Sequence, residues 1–255
     1  MKVVILAGGF GTRLAEETIL MPKPMIEIGG KPILWHIMKS YAHQGFNEFV
    51  VCLGYKGHQI KEWFSNYRLH NSDITIDLKS DQITLHKNNT EDWKITLVDT
   101  GFSTQTGGRI KKIRDYIDGT FMLTYGDGVG NVDIKKLLEF HKKHGKLATV
   151  TAVQPQGRFG VLELNDEDKV RDFGEKIDNV DKWINAGFFV LEPDVFSYID
   201  GDDTSWEEIS LKKLQEDNQL MAYKHTDFWK AMDTLRDKRE LENLWKTESA
   251  PWRTW

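Results

Sequence analysis

The sequence predicts an α/β fold: a Rossmann-like, mixed but mostly parallel sheet that is flanked by helices and carries small antiparallel additions. Two observations predict it. In the first half of the chain, short apolar runs typical of buried strands alternate with stretches of helical periodicity, which favours right-handed βαβ units. A glycine-rich segment also follows the first apolar run directly, at the place where open α/β sheets bind ligands.

The elements of this core follow from apolar spacing and stop signals. Residues 32–41 carry apolar side chains at 33, 34, 37, 38 and 41, which is a helical period, and Gly45 follows as a stop signal. In chain order, the predicted core contains strand 3–7, helix 32–41, strand 49–53, helix 58–67, strands 95–98 and 121–124, and helix 134–144, which ends at Gly145.

Two stretches interrupt this alternation, and both are predicted to be antiparallel additions to the core. Residues 74–78 and 82–86 alternate with period two on either side of Lys79-Ser80-Asp81, which is typical of a hairpin. The second stretch has little helical pattern. It contains the predicted strands 148–153, 160–164 and 186–191, and the helices 206–214 and 235–245 follow it.

Composition excludes several classes of protein. The 255 residues are 40% hydrophobic and 29% charged, as in a globular domain, and a net charge of -5 excludes a generally basic protein that coats nucleic acid. The one cysteine, Cys52, excludes an internal disulfide and a cysteine-cluster zinc site, and its apolar neighbours predict a buried thiol. Because no apolar run is long enough for a membrane helix or a signal peptide, we expect one cytoplasmic domain, 1–255.

The most informative segment is 6–14 (LAGGFGTRL), which follows the first predicted strand. Its glycines let backbone N–H groups approach an anion closely, and Arg13 adds a planar cation suited to phosphate oxygens. A Walker loop is excluded because no Gly-Lys-Ser/Thr follows, and the dinucleotide fingerprint fails because Leu14 stands where a third glycine is needed. Alone, the segment favours phosphate binding modestly over a structural turn.

A second basic element lies ten residues beyond Arg13. Lys23 stands between Pro22 and Pro24, which fix the local backbone and keep it out of a helix. A lone Pro-Lys-Pro is a plain loop more often than not. Paired with the upstream glycine loop, it indicates a positioned cation.

Two carboxylates are candidates for holding Mg²⁺, which is usually bound by one or two carboxylates together with substrate phosphates. Asp127 directly follows a predicted buried strand between two glycines, although Asp-Gly is also strong turn chemistry. Asp233 is the second candidate. It serves equally well as the N-cap of the last helix, and spacing alone favours the cap.

Together these segments resemble the sugar-1-phosphate nucleotidylyltransferases, whose signature is matched by 6–14 and by 22–25 (PKPM). Further pieces are similar to the branch of that family that makes CDP-glucose for O-antigen biosynthesis, and the resemblance spans nearly the whole chain. These pieces are 27–38 (EIGGKPILWHIM), 97–101 (LVDTG), 106–109 (TGGR), 125–128 (YGDG), 157–160 (GRFG), 232–238 (MDTLRDK) and 250–252 (APW).

The resemblance implies the reaction of CTP with α-D-glucose 1-phosphate, giving CDP-glucose and pyrophosphate by Mg²⁺-assisted in-line displacement. It also implies a homo-oligomer, often a hexamer, with a nucleotide-binding part at about 1–130 and a sugar-binding and oligomerisation part at about 131–255. The implied catalytic residues are Arg13, Lys23 and Asp127, and the implied Mg²⁺ ligands are Asp127 and Asp233. The implied nucleotide-binding residues are Leu6, Ala7, Gly8, Gly9, Phe10, Gly11, Thr12, Arg13, Lys23, Thr104, Arg109 and Gly128. The implied sugar-phosphate residues are Glu175, Lys176 and Asn185.

The sequence departs from the family pattern at five positions, which are Ile177, Ala186, Ile209, Ser210 and Ala231. Most of them fall on the expected sugar side, so the alternatives are a different nucleotide or acceptor, or a homologue that binds a nucleotide sugar without turnover.

Three groups of residues carry expectations unrelated to this chemistry. We expect His141 and His144 to be solvated on a lysine-rich helix. Lys111 and Lys112 fit either a charged helix face or an anion-attracting lid. The tail tryptophans 252 and 255 are exposed unless they dock, and a neighbouring subunit would be a natural docking site.

Overall fold

The computed structural model describes residues 1–88, 90–154, 161–164, 170–174 and 183–255. The strands are β1 Lys2–Leu6, β2 Glu27–Ile28, β3 Lys31–Pro32, β4 Glu48–Leu53, β5 Ser72–Asp77, β6 Gln82–Asn88, β7 Lys94–Asp99, β8 Phe121–Tyr125, β9 Gly128–Gly130, β10 Ala148–Val153, β11 Val161–Leu164, β12 Val170–Gly174, β13 Ile184–Leu191, β14 Leu220–His225 and β15 Trp229–Ala231. The α-helices are α1 Ala15–Thr18, α2 Ile33–His43, α3 Gly57–Ser65, α4 Tyr67–His70, α5 Thr106–Lys112, α6 Ile134–His144, α7 Leu211–Glu216 and α8 Leu235–Lys246.

The predicted α/β fold is confirmed, with a seven-stranded sheet in the order β14-β10-β13-β8-β1-β4-β7 within the described residues. Strands β8, β1, β4 and β7 pair in parallel, and β10 pairs in parallel with β14. Only β13 runs in the opposite sense to its two neighbours, β8 and β10. The carboxyl ends of the parallel strands and the amino end of β13 therefore meet at one edge of the sheet.

The two faces of the sheet each carry an apolar core. Alternate residues of β1 point to opposite faces, so Val3 and Ile5 join one buried cluster while Val4 and Leu6 join the other. Cys52 on β4 is fully buried in the second cluster, as predicted, and burial raises the pKa of its thiol to about 12. Both faces are covered, which is why the central strands read as continuous apolar runs.

The hairpin prediction is confirmed, but the second set of predicted additions is partly wrong. Strands β5 and β6 form a separate antiparallel pair, with Asp77 opposite Gln82. Strands β10 and β13, by contrast, lie in the central sheet. The physical reason is burial on both faces, because Phe188 to Leu191 are almost wholly inaccessible to solvent.

Two helix predictions needed correction at their ends. The predicted helix 58–67 is divided into α3 and α4 at Asn66. The predicted helix 206–214 begins with a π-helical turn, Trp206–Ser210, before α7. Helix α6 spans 134–144 as predicted, and Gly145 ends it in the left-handed conformation that favours glycine (φ +64°).

The prediction that His141 is solvated is wrong. His141 is fully buried: its Nδ1 lies 2.8 Å from Thr149 Oγ1, and its Nε2 lies 3.1 Å from Glu192 Oε1. His144 lies 2.7 Å from the same hydroxyl, so the two histidines and Glu192 form one network between α6 and the sheet. Burial lowers the pKa of both histidines.

The tail tryptophans dock on their own chain. Trp252 is fully buried, stacked on Phe228 and Trp245, and Trp255 packs edge-on against Trp35. Lys111 and Lys112 belong to a charged face of α5. This face is bonded to the segment at 199–200, since Lys111 donates to the Ile199 and Asp200 carbonyls. No helix in the described part of the chain is long and apolar enough to cross a membrane.

Candidate active site

A cavity of about 600 Å³ opens at the sheet edge where the parallel strands end. All of the predicted nucleotide-binding residues line it, and so do Asp127, Asn185 and Asp233. Glu175 and Lys176, the other two predicted sugar-phosphate residues, lie outside the described residues, as does Ile177. The structure therefore brings together the predicted residues that it describes, which come from positions 6 to 233 of the chain.

The glycine-rich loop begins where β1 ends. Its backbone is tied to the neighbouring strand end, because the Ala7 amide donates to the Cys52 carbonyl (3.0 Å) and the Tyr55 amide donates to the Gly8 carbonyl (3.1 Å). Gly11 has a φ of +64°, and a Cβ there would lie 2.8 Å from Thr18. The sequence therefore needs glycine at position 11 for the loop to turn back over the cavity.

Arg109 holds this loop in place through hydrogen bonds to its backbone and to the neighbouring strand ends. Its guanidinium donates to the carbonyls of Gly8, Leu53 and Gly101 at 2.7 to 3.0 Å, and to the Thr100 hydroxyl at 2.8 Å. The residue is only 4% exposed, and burial lowers its pKa. Arg109 thus ties together the ends of three strands, with its donors directed mainly at the protein's own backbone.

The centre of the site is a group of two cations and two carboxylates. The Lys23 Nζ lies 2.7 Å from Asp127 Oδ2 and 2.7 Å from Asp233 Oδ1, and Arg13 contacts Asp233 Oδ2 at 2.8 Å. Lys23 is only 7% exposed, held in the short helical turn Lys23–Met25 after Pro22. Lys23 is thus fixed between two carboxylates, and its role as a cation positioned for a phosphate stays a prediction.

A short strand pair brings the two carboxylates together. Strand β9 begins directly after Asp127, and strand β15 ends two residues before Asp233. The two strands pair antiparallel. The Met232 amide also donates to the Asp127 carbonyl (2.8 Å). Both carboxylates accept from one lysine nitrogen, so the bonded oxygens are no farther apart than twice 2.7 Å.

The alternative role of Asp233 as a helix cap is wrong. Thr234 caps α8: its hydroxyl accepts from the Asp237 amide (3.2 Å), and Asp237 in turn accepts from the Thr234 amide (2.9 Å). The Asp233 carboxylate does not cap the helix, and it contacts Lys23 in the cavity instead. Sequence spacing could not separate the two residues, because both precede the same helix.

The described side chains of the cavity supply only some of the ligands that a divalent cation needs. No group of three or more histidine, cysteine, aspartate or glutamate side chains in the described ranges could hold a metal. Two adjacent carboxylates facing a cavity do suit a cation whose remaining ligands are phosphate oxygens and water. Asp127 and Asp233 are the residues that could hold it.

The wall at the predicted sugar side contains residues that sequence reasoning missed. The Tyr125 hydroxyl donates to Glu207 Oε1 (2.5 Å) and accepts from the Asn185 amide (3.2 Å). Burial, followed by the negative charge of Glu207, raises the pKa of Tyr125. The quoted YGDG motif contained Tyr125, but nothing in the sequence indicated that Glu207 would lie beside it.

The remaining predicted nucleotide-binding residues form the mouth and one side of the cavity. Thr104 is nearly buried, and its hydroxyl lies 3.2 Å from Lys112 Nζ and 3.4 Å from Asp202 Oδ2. Phe10 is 44% exposed and packs against Tyr55 and Phe102, with ring centroids 5.5 and 5.1 Å apart. The cavity thus has an aromatic rim and a charged floor.

This architecture has counterparts among known proteins. The sequence profile of a family described as nucleotidyl transferase matches residues 2–240. The chain belongs to the nucleotidyl transferase family.

Individual relatives of this nucleotidyl transferase match it from end to end. It is 54% identical over 257 residues to glucose-1-phosphate cytidylyltransferase of Salmonella typhimurium (strain LT2), with 100% of both chains covered. It is 44% identical to a probable glucose-1-phosphate cytidylyltransferase of Bacillus subtilis (strain 168), again with 100% of both covered. The crystal structure of HddC from Yersinia pseudotuberculosis superposes with a TM-score of 0.69 at 24% identity, covering 96% of this chain and 99% of that one. The last match shows a shared fold.

The geometry of the nucleotidyl transferase suits the handling of phosphates. A loop rich in backbone N–H groups, a buried lysine and an exposed arginine supply positive potential, and the two carboxylates offer a place for a cation. In all, the arrangement can orient two anionic substrates and offset their mutual repulsion.

Proposed function

We propose that this nucleotidyl transferase transfers the cytidylyl group of CTP to α-D-glucose 1-phosphate, with CDP-glucose and pyrophosphate as products. The observation that carries the identity of the substrates is the 54% identity, over the full length of both chains, to a glucose-1-phosphate cytidylyltransferase. The cavity geometry supports the reaction class, since Lys23, Arg13 and the glycine-rich loop converge on one space.

The chemistry requires orientation more than a reactive side chain. The phosphate of the sugar is already anionic near neutral pH, and one of its oxygens attacks the α-phosphorus of CTP in line as pyrophosphate leaves. No protein nucleophile is needed. The chain has to align the two phosphates and offset their negative charge, which is the role we assign to Arg13, Lys23 and the backbone of residues 8–13.

Nucleotidyl transferases generally use a divalent cation, and we propose Mg²⁺ here, held by Asp127 and Asp233. When bound, such a cation neutralises phosphate charge and helps to orient the triphosphate. The two carboxylates are already close together, and Lys23 contacts both of them. With a cation held there, the ammonium group of Lys23 would be available to the phosphate oxygens.

On the acceptor side, we propose that Asn185 contacts the sugar, together with Glu175 and Lys176. The position of Asn185 near the start of β13, on the wall of the cavity, supports this role. Its amide is oriented by Tyr125 and by the Gly187 amide, which donates to Asn185 Oδ1 (2.7 Å).

The experiment is pyrophosphate release by the purified protein with Mg²⁺, testing four nucleoside triphosphates against a panel of sugar 1-phosphates. Turnover mainly with CTP and glucose 1-phosphate is the expected result. Turnover with CTP and another acceptor would mean that departures such as Ala186 and Ile209 record a changed sugar pocket. Folded protein that binds CTP but turns over no pair would instead indicate a non-catalytic homologue.

We further propose that the protein works in the cytoplasm as a homo-oligomer, a hexamer by the resemblance, and supplies CDP-glucose to O-antigen biosynthesis. Light scattering coupled to size-exclusion chromatography tests the oligomer, with a monomer as the contradicting result.

A further inference from the structure

Glu207 is a negative charge on the wall of a cavity that is otherwise suited to polyanions. Its side chain lines the same cavity as Lys23 and Asp233, yet it forms no ion pair with any residue that the structure describes. It lies in the π-helical turn that precedes α7, after the capping residue Ser205. The partners of this carboxylate among the described residues are hydroxyl groups.

The hydrogen bonds of Glu207 show that use. Its Oε1 accepts from the Tyr125 hydroxyl (2.5 Å), while its Oε2 accepts from the hydroxyls of Thr106 (2.6 Å) and Ser205 (3.3 Å). An ionised carboxylate only accepts hydrogen bonds, so each of these hydroxyls is constrained to donate. Glu207 therefore fixes the orientation of three hydroxyl hydrogens on the cavity wall.

The orientation of Tyr125 is passed on to Asn185. Because the single hydrogen of the Tyr125 hydroxyl is committed to Glu207, the hydroxyl oxygen can only accept, and it accepts from Asn185 Nδ2 (3.2 Å). The other end of the amide is fixed by the Gly187 amide, which donates to Asn185 Oδ1.

The ring of Tyr125 is also held in place by its neighbours. Gly187 has a φ of +79°, and a Cβ at that position would lie 2.3 Å from the Tyr125 ring. The ring also meets Phe189 edge-on, with the ring centroids 6.0 Å apart. These neighbours hold the tyrosine ring in a position from which its hydroxyl reaches both Glu207 and Asn185.

We propose that Glu207 is a positioning residue for the acceptor, which orients the Asn185 amide through the hydroxyl of Tyr125. The inference rests on the proposed function, in which Asn185 contacts the sugar of a sugar 1-phosphate. It assigns to Glu207 no contact with the reacting phosphates, and it explains why an acidic side chain is kept within an anion-binding cavity.

The test compares Glu207→Gln and Tyr125→Phe with Glu208→Gln, a matched control one residue away whose side chain is exposed. Calorimetry measures the Kd of α-D-glucose 1-phosphate and of CTP for each. For both test variants we expect the Kd of the sugar phosphate to rise about tenfold, as for the loss of one charge-assisted hydrogen bond. For Tyr125→Phe, which leaves Thr106 untouched, the Kd of CTP should stay within about twofold of wild type.

Two further readouts separate positioning from general support of the fold. In steady-state assays, the KM of glucose 1-phosphate should rise in Tyr125→Phe while kcat changes little. The double variant should bind the sugar phosphate no more weakly than the weaker single variant, because both changes break one chain of contacts. Wild-type affinity in Tyr125→Phe, or equal weakening of both ligands, would overturn the proposal.

The design also separates this proposal from the proposed reaction. Wild-type protein that binds glucose 1-phosphate but releases no pyrophosphate with any substrate pair contradicts the reaction and leaves the binding comparison intact. Wild-type protein that binds no glucose 1-phosphate overturns both.

Discussion

The ammonium group of Lys23 lies 2.7 Å from a carboxylate oxygen of Asp233, a residue 210 positions further along the chain. The same nitrogen contacts Asp127 at 2.7 Å, so one nearly buried lysine connects three distant parts of the sequence at the floor of the cavity.

Replacing Lys23 by alanine should leave the protein folded and lower kcat/KM by at least about 100-fold, because a fixed charge at the reacting phosphates is lost. Pyrophosphate release measures turnover, and circular dichroism checks the fold. Lys213→Ala is the control, since Lys213 pairs with Asp200 at the surface (3.0 Å). Wild-type turnover in Lys23→Ala would exclude the lysine from the reaction.

Replacing Asp233 by asparagine should raise the Mg²⁺ concentration needed for half-maximal activity by about tenfold or more, since one of the two proposed anionic ligands is neutralised. Asp127→Asn should behave alike. A magnesium titration of the activity gives the midpoints. The exposed Asp227, which accepts from the Asn131 amide (2.6 Å), provides the control variant Asp227→Asn. Unchanged midpoints in both test variants would place the metal elsewhere.

Replacing Arg109 by lysine should lower the free energy of unfolding by about 2 kcal/mol or more, because one ammonium cannot satisfy the carbonyls that the planar guanidinium reaches. Urea denaturation measures this loss. The control variant Arg114→Lys, which changes an exposed side chain, should alter the free energy of unfolding by less than about 0.5 kcal/mol. If Arg109→Lys weakened CTP binding without any loss of stability, Arg109 would act on the nucleotide directly.

The protein should lose stability as the pH falls from about 6.5 toward 4, in part through His36. Burial lowers the pKa of His36 to about 4 in the folded state, whereas an unfolded histidine titrates near 6.5. The unfolded chain therefore binds more protons in this window. The contribution of His36 is complete above pH 6.5, and about 3 kcal/mol of it is lost by pH 4.

The surroundings of His36 explain why it stays neutral. Its Nε2 donates to the Ile28 carbonyl (2.8 Å), and its Nδ1 accepts from the Trp252 indole (3.4 Å), so both ring nitrogens are already hydrogen-bonded when the ring is neutral. Denaturation curves at pH 7, 6, 5 and 4 should show a shallower pH dependence in His36→Gln than in wild type. Identical slopes would assign the acid sensitivity to other groups, such as His141.

The sequence was sufficient for features whose causes are local. The glycine-rich loop, the buried strands and the cations at 13 and 23 could be predicted because each depends on neighbouring residues. The link between Asp127 and Asp233 could not, since it depends on pairing of the three-residue strands β9 and β15, which have no periodicity to detect.

Long-range contacts also explain the wrong predictions. His141 lies on a helix that appears solvated from its lysines, and it is buried because Thr149 and Glu192 arrive from the sheet. The antiparallel direction of β13 was predicted, but its place inside the central sheet was not, since that place depends on pairing with β8 and β10, which lie far from it along the chain.

The reversal of β13 gives the cavity two kinds of attachment to one sheet. The glycine-rich loop is attached to parallel strands through their carboxyl ends, whereas Asn185 enters at the amino end of the one reversed strand of the sheet. If Asn185 holds the acceptor as proposed, substitutions at the amino end of β13 can reshape the acceptor pocket without altering the glycine-rich loop itself. An enzyme built this way can change its sugar over evolutionary time while it keeps its nucleotide chemistry.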